Sequence, residues 1–304
     1  MSNKTLAQLL LLGVVAVWGA TFALVKSALA DCSPLLFNLL RMTIGALALW
    51  SIHHRRLRRL TRGGLFAGMV AGLLLAAGYQ FQTVGLAYTT AAKSGLITGL
   101  VVVFVPIFTL VPALRPEGSL RPRWTTGLGA VLAFSGLLLL TTPPKTTLAT
   151  VTTQISLGDW LTLVCALAFA GHLLSLARLA PKMPTAELAT LQISFAALFM
   201  LVTLPLSRDL RIHLSLRLVI ALAVTGILAT AAAFTIQSWA QRHIPPANTA
   251  ILLTLEPVFA VAVSMLLLDD SMSRRSITGA ALILGGIATM ELLALPSPLA
   301  IDPA

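Results

Sequence analysis

The stretch TAILLTLEPVFAVAVSMLLLDD, Thr249 to Asp270, sets an acid and a helix-breaker, Glu256 and Pro257, inside an otherwise apolar run. A run of roughly 20 apolar residues is long enough to cross a bilayer as a helix. A carboxylate within such a run is costly and is a functional candidate by default. Proline has no N–H, so Pro257 leaves the carbonyl of Leu253 without its helical partner and kinks the helix beside the acid. Pro106, in another apolar run, is a second kink candidate. Together these features describe a bent transmembrane helix with a buried acid, and the rest of the chain supports that picture.

Of 304 residues, 57% are hydrophobic and 10% charged, and mean hydropathy is +0.92. Soluble globular chains carry about 25% charged residues, so this is an all-α polytopic membrane protein. The runs Leu65 to Ala87, Leu96 to Leu114, Trp124 to Thr142, Leu188 to Ser207 and Leu218 to Gln241 contain no Asp, Glu, Lys or Arg. A net charge of +11 does not indicate nucleic-acid binding, because the bases sit in short segments between apolar runs, where they act as topology determinants. The two cysteines, Cys32 and Cys165, read as small buried hydrophobes. Thr5 to Val25 is too long for a signal-peptide core and reads as the first span.

Punctuation by glycine, proline and charge predicts ten helices, near 6–26, 34–53, 64–87, 92–113, 123–142, 158–178, 185–206, 217–241, 247–268 and 276–295. The segments HHRRLRRLTR and RPEGSLRPR, after the second and fourth helices, are rich in arginine. The positive-inside rule assigns both to the cytoplasm, which puts both termini there as well. Of the thirteen Lys and Arg residues up to position 150, nine then lie inside, three lie outside or near the outer face, and Arg41 falls within the second span. The second half reverses this balance weakly, so the first half sets the orientation.

The chain also repeats. VWGATFALVKSAL (Val17 to Leu29) aligns with AFAGHLLSLARL (Ala168 to Leu179), with Trp18 opposite Phe169. LLRMTIGALAL (Leu39 to Leu49) aligns with TLQISFAALFM (Thr190 to Met200), with Arg41 opposite Gln192. YQFQ (Tyr79 to Gln82) matches FTIQ (Phe234 to Gln237), and GAVLAFSGLL (Gly129 to Leu138) matches GAALILGGIA (Gly279 to Ala288). A repeated unit of five spans inverts its second copy, since five is odd. The expected units are 1–145 and 158–295, with a periplasmic linker at 146–157 and a C-terminal tail at 296–304. Inverted repeats around a midplane site are a transporter architecture.

The segments VWGATFALVK, LEPVFAVAVSMLLLDD, GAALILGGI and AYTTAAKSGLITGLVVVFVPIF (Ala87 to Phe108) resemble the EamA-type branch of the drug/metabolite transporter superfamily over roughly residues 10 to 292. The resemblance implies ten transmembrane helices in two inverted five-helix repeats. It also implies a secondary transporter exporting or importing small organic metabolites across the bacterial inner membrane by alternating access. Family members handle amino acids, nucleosides, sugars and toxic amphiphiles, and the expectation for this chain is amino acids or related amphiphiles, with export as the direction. Two departures are Asp269-Asp270, where the family usually has Gly-Glu, and Phe169 opposite Trp18.

Polar and aromatic residues inside the spans supply the candidate site. Trp18, Thr21 and Phe22 on the first helix, and Tyr79 and Gln82 on the third, suit the wall of a cavity for amphiphiles. Ser94 and Thr98 continue one face of the fourth helix from Lys93. His172, opposite Thr21, and Gln237 and Trp239 complete the set. Each of these equally serves helix packing. Glu256, Arg41 and Lys93 are the candidates for coupling or for buried polar contacts. Arg41 either pairs with Glu256 or another acceptor, or binds an anionic group, whereas Lys93 reads as an interfacial, snorkelling lysine. Gly64, Gly68 and Gly72, spaced four apart, permit close helix packing. No P-loop, zinc-protease helix or nucleophile elbow occurs, so the expectation is no enzyme, no cofactor and no metal. The expected partners are a small-molecule substrate and the lipid bilayer, without nucleic acid, for a monomer or weak dimer. An integral-membrane enzyme or a channel is the alternative. An enzyme would need clustered acids or nucleophiles, and a channel a ring of charges or carbonyls.

Overall fold

The computed structural model describes residues 2–55, 57, 60–115, 124–141, 155–207, 209–244, 249, 252, 253, 255–267 and 273–292. Residues 146–154 of the expected linker, and the tail, lie outside the described residues. The protein is all-helical: among the described residues there is no strand, only an isolated bridge between Cys32 and Ile212. Among the described residues seven spans are long and apolar enough to cross a membrane, counting Ala91–Phe108 and Leu216–Ala240 as one each, and a shorter apolar helix covers Gly127–Gly136.

In chain order the helices are α1 Asn3–Ala28, α2 Pro34–His53, α3 Arg62–Ala87, α4 Ala91–Thr98, α5 Val101–Phe108 and α6 Trp124–Thr141. There follow α7 Leu157–Leu179, α8 Thr185–Thr203, α9 Leu216–Ala223, a π-helical segment Val224–Ala232, α10 Ala233–Ala240, α11 Glu256–Leu267 and α12 Arg274–Leu292. Hydroxyl side chains start several of them. Ser2, Thr61, Thr90, Ser156 and Ser215 each accept a hydrogen bond from a backbone N–H of the first turn, which satisfies a donor that the helix itself leaves open. At α7 the cap is reciprocal, because Asp159 also accepts from the N–H of Ser156, a capping box.

Two expectations need correction. The predicted fourth helix is not continuous. It breaks at Gly99–Leu100, where the Leu100 N–H turns back to the carbonyl of Ile97, and glycine is the residue least committed to a helix after proline. Pro106 lies inside α5, beyond the break, so the interruption is not at the proline. Pro257 is the second residue of α11, and the first turn of a helix tolerates a missing N–H. The interruption of the ninth helix therefore precedes Glu256, at the turn residue Leu255, and proline restarts the helix there.

Packing runs largely between the two halves of the chain. α6 packs on α12, α3 on both α7 and α8, α2 on α8 and the π segment, α1 on α11, and α4 on α7 and α11. Glycine makes the tightest contacts. Gly64, Gly68 and Gly72 face Glu187, Leu191 and the Gln192–Ala196 stretch of α8. Between α6 and α12 the contact is reciprocal. A Cβ on Gly136 would meet the Gly279 carbonyl and, at 2.8 Å, the Ile283 N. A Cβ on Gly286 would meet the Gly129 carbonyl at 2.5 Å and the Ala133 N at 2.8 Å. The two GAxLxxxG segments therefore cross antiparallel, each glycine resting on the other helix's backbone. In lipid, where apolar surface is not driven together by water, such close approach is what holds helices.

Loops at the ends of α1 and α9 are clasped. Asp31 accepts from Ser215 Oγ at 2.5 Å and from Arg217 Nε at 2.9 Å, and the His213 N–H donates to the Asp31 carbonyl at 2.7 Å. The Ser215 hydroxyl, more than Arg217, holds the Asp31 carboxyl below the usual carboxylate range against the opposing effect of burial.

The glycine contact yields a paired prediction. Gly136→Ala should destabilise the detergent-solubilised protein by about 1–3 kcal/mol, because the added methyl meets backbone that cannot yield. Gly285→Ala, on the same helix as Gly286 but facing open space, should leave the thermal midpoint unchanged. Equal midpoints for the two variants would show that the α6–α12 approach is not as close as described.

Candidate functional site

A cavity lies among the helices, lined from both halves of the chain. α1 contributes Trp18, Thr21, Phe22 and Val25, and α3 contributes Tyr79, Gln82, Thr83 and Leu86. From the second half come Phe169 and His172 on α7, Phe234 and Gln237 on α10, and Leu253 and Glu256 around the start of α11. Arg41 of α2 and Thr98, Gly99 and Val101 at the break between α4 and α5 close the wall.

The aromatic rings form a connected set around Phe234. Its centroid is 5.4 Å from Trp18, 6.2 Å from Tyr79 and 5.7 Å from His172, and Tyr79 meets Phe169 edge-on at 5.2 Å. Offset and edge-to-face arrangements at these separations are favourable beyond simple burial. The rings are fixed by polar contacts behind them. Trp18 Nε1 donates to the Ala229 carbonyl at 2.9 Å, within the π-helical segment. π turns occur mostly at functional positions. This one supplies a carbonyl to Trp18 and a hydroxyl, Thr230 Oγ1, to Arg41 Nη2 at 3.2 Å. Gly45 and Gly226 allow α2 to approach that segment, since a Cβ on either would meet Thr230 or Ile44 within 3 Å.

The two charged residues of the cavity do not pair. Arg41 is 2% exposed and holds its guanidinium carbon 4.3 Å from the Tyr79 ring centroid, a cation–π geometry. Its Nε has no hydrogen-bond partner among the described residues. The four ion pairs recorded among the described residues involve Asp31, Asp159 and Asp209, not Arg41 or Glu256. Of the alternatives for Arg41, pairing with Glu256 is thus absent there, and Arg41 takes another acceptor, the neutral hydroxyl of Thr230, and a ring face. His172 Nε2 lies 2.8 Å from Gln192 Oε1, and Gln192 Nε2 donates to Ser238 at 3.2 Å. Gln82 Nε2 donates to Thr98 Oγ1 at 3.3 Å, while Gln237 Oε1 is buried without a partner among the described residues.

Ten residues singled out in the sequence therefore meet in one cavity: Trp18, Thr21, Phe22, Arg41, Tyr79, Gln82, Thr98, His172, Gln237 and Glu256. Three others lie elsewhere. Ser94 is fully buried one turn before Thr98. Trp239 lies tilted against His243 with ring centroids 4.4 Å apart and packs with Ala7, Leu11, Ala240, Ile244 and Leu252, a cluster near the start of α1. Lys93 does not snorkel alone: its Nζ donates to Asp159 Oδ2 at 3.0 Å, and Thr89 donates to Asp159 Oδ1 at 2.8 Å. Beside it Lys26 Nζ donates to the carbonyls of Leu86 and Thr89 at 2.7 and 2.8 Å. Asp159, Phe169 and Phe234 were missed as participants. Ser156-x-x-Asp159 is a legible capping box, and the repeat alignment had already set Phe169 opposite Trp18 and Phe234 opposite Tyr79.

The comparisons agree with this architecture. The model of the EamA-like transporter family matches the chain twice, over residues 5–142 and 156–292. An uncharacterized transporter of Archaeoglobus fulgidus is 30% identical over 291 residues, covering 95% of this chain and 87% of that protein. The uncharacterized transporter YoaV of Bacillus subtilis is 24% identical over 287 residues, covering 91% and 94%. One solved crystal structure, 20% identical, superposes with a TM-score of 0.67 over 95% of this chain and 98% of its own, a likeness of fold. With both halves matched and a curated relative aligned along nearly its whole length, the chain belongs to the EamA-like transporter family, and it is a multi-pass membrane protein.

Proposed function

We propose that this protein is a secondary transporter that carries small organic metabolites, amino acids or related amphiphilic compounds, across the bacterial inner membrane by alternating access, with export as its direction. The observation that carries the reading is a cavity walled by both halves of the chain. Its lining runs as far as Val25 and Leu86, toward the ends of α1 and α3, while Leu11, Ile244 and Trp239 pack together near the start of α1. Aromatic walls with a few fixed polar groups suit amphiphilic solutes.

Ten spans in two inverted repeats, 1–145 and 158–295 joined at 146–157, fit the same reading. Three observations support it: the twofold family match, the reciprocal antiparallel glycines of α6 and α12, and contacts that come in exchanged pairs. α1 on α11 corresponds to α4 on α7, and α2 on the π segment corresponds to α3 on α8. Rocking one repeat against the other would alternate the open end.

Glu256 is the proposed coupling group, sharing the cavity with Arg41, Tyr79 and His172. Lys93, paired with Asp159 away from the cavity, is left out of that role.

Solute counterflow in proteoliposomes tests the carrier reading. Preloaded amino acids or amphiphiles should drive saturable uptake of labelled solute. Flux linear in concentration would indicate a channel, and chemical conversion of the solute an enzyme. Trp18→Ala and Tyr79→Ala should each lower counterflow at least several-fold with expression and monodispersity intact, and normal transport in both would reduce those rings to packing. For topology, reporter fusions should place both termini in the cytoplasm and the 146–153 loop in the periplasm, and an external terminus would overturn the orientation. Glu256→Gln should keep counterflow but flatten its pH dependence between about pH 5 and 8, a range in which a perturbed carboxyl titrates. His172→Gln is measured beside it, and a profile flattened by that variant alone would assign the titration to His172.

A further inference from the structure

We infer that Arg41 is an anion subsite of the cavity and that the transported solute carries a single carboxylate on an apolar or aromatic body. The inference rests on the transporter reading above and names the class of solute. A buried guanidinium inside a membrane protein is ordinarily matched by an acid or by several carbonyls. Arg41 has neither among the described residues. It lies 2% exposed in the cavity wall, donates to the neutral hydroxyl of Thr230 at 3.2 Å, rests against Tyr79, and leaves its Nε without a partner.

The surroundings hold this cation in place without neutralising it. Thr230 and the Tyr79 ring orient the planar group, so little side-chain freedom remains to be lost when an anion arrives. A guanidinium presents paired N–H donors in a fixed fork that matches a carboxylate. The geometry around it fits an apolar body, since Trp18, Phe169 and Phe234 line the same cavity. Glu256 lines it too and makes no ion pair among the described residues. Its carboxyl offers an acceptor to an N–H donor on the solute, and the single guanidinium matches a single carboxylate. A monocarboxylate, with or without an amino group, therefore fits better than a dianion.

The repeat partner of Arg41 shows what the position looks like without this role. Gln192 stands at the equivalent place, and both ends of its amide are engaged, by His172 and Ser238. One copy of the position is satisfied internally by a neutral side chain. The other keeps a charge facing the cavity.

The test uses the full-length protein in detergent and three probes of matched shape: 3-phenylpropanoate, 3-phenylpropanamide and 3-phenylpropylamine. Binding is read by calorimetry. The carboxylate should bind the native protein at least about tenfold more tightly than the amide, as expected for a charge-assisted hydrogen bond. Arg41→Gln should bring the two within about twofold, and Arg41→Lys should keep part of the preference, since the charge remains without the fork. The comparison of probes on the native protein stands even where a variant fails to fold. Equal binding of carboxylate and amide, preference for the amine, or no binding of any probe would overturn the inference. Counterflow separates its failure from that of the transporter reading. Saturable exchange of neutral or cationic solutes that is unaffected by Arg41→Lys would leave a transporter without an anion subsite.

Discussion

Hydrocarbon offers no partner to an exposed N–H, carbonyl or charge, and the architecture of this protein follows from that constraint. Helices satisfy their own backbone, so the chain is built from helices. At several places where the helical pattern is broken, freed groups are taken up by other protein groups. The π-helical segment gives the Ala229 carbonyl to Trp18, and Lys26 caps carbonyls at the end of α3. Asn38 donates to the Tyr79 carbonyl at 2.9 Å and accepts from Thr83 at 2.9 Å. Satisfaction is incomplete at Arg41 Nε and Gln237 Oε1, which line the cavity, and among the described residues also at buried side-chain atoms of Ser33, Ser94, Thr125, Glu187, Gln241 and Thr249.

Close packing is the second consequence. Without water to drive apolar faces together, association depends on contact and shape, and glycine lets backbone reach backbone. Gly19 of α1 sits against Phe259, Ala260 and the Glu256 carbonyl, so α1 is pinned to the start of α11 beside the cavity. Gly85 of α3 and Gly158 of α7 pack on each other's carbonyls. The ends of the helices are held differently, by ionic and hydroxyl contacts such as Lys93–Asp159 and Asp31 with Ser215 and Arg217. Because the Asp31 carboxyl is held below its ordinary range, that clasp contributes at neutral pH. Its contribution is lost as the pH falls through the folded-state value.

Much of this was legible in the sequence because a membrane protein writes its fold in composition. The spans near 34–53 and 158–178 coincide closely with α2 and α7, since the punctuating charges, prolines and glycines sit at the ends. Less legible were features within a span. Hydropathy does not distinguish a helix from one interrupted at Gly99–Leu100, and Val224–Ala232 is as apolar wound as a π-helix as it would be as an α-helix. The cavity residues were found because polar or aromatic groups stand out in apolar runs, as Arg41, Tyr79 and Glu256 do. Sequence spacing within one helix cannot say which other helix a side chain meets. That is why Trp239 went to the apolar cluster near the start of α1 and Arg41 to Tyr79 and Thr230 rather than to Glu256. Lys93 looked interfacial because its partner Asp159 lies in the other half of the chain.

The central claim is that one cavity between two halves opens alternately to either side. Distances between spin labels measure it most directly. One pair, at Leu10 and Arg242, lies at the end near the start of α1, and another, at Ala30 and Tyr88, lies at the opposite end. The account predicts two populations in which the distances change in opposite senses, with their ratio shifted by a transported solute. A single fixed distance at both ends, with and without solute, would contradict it.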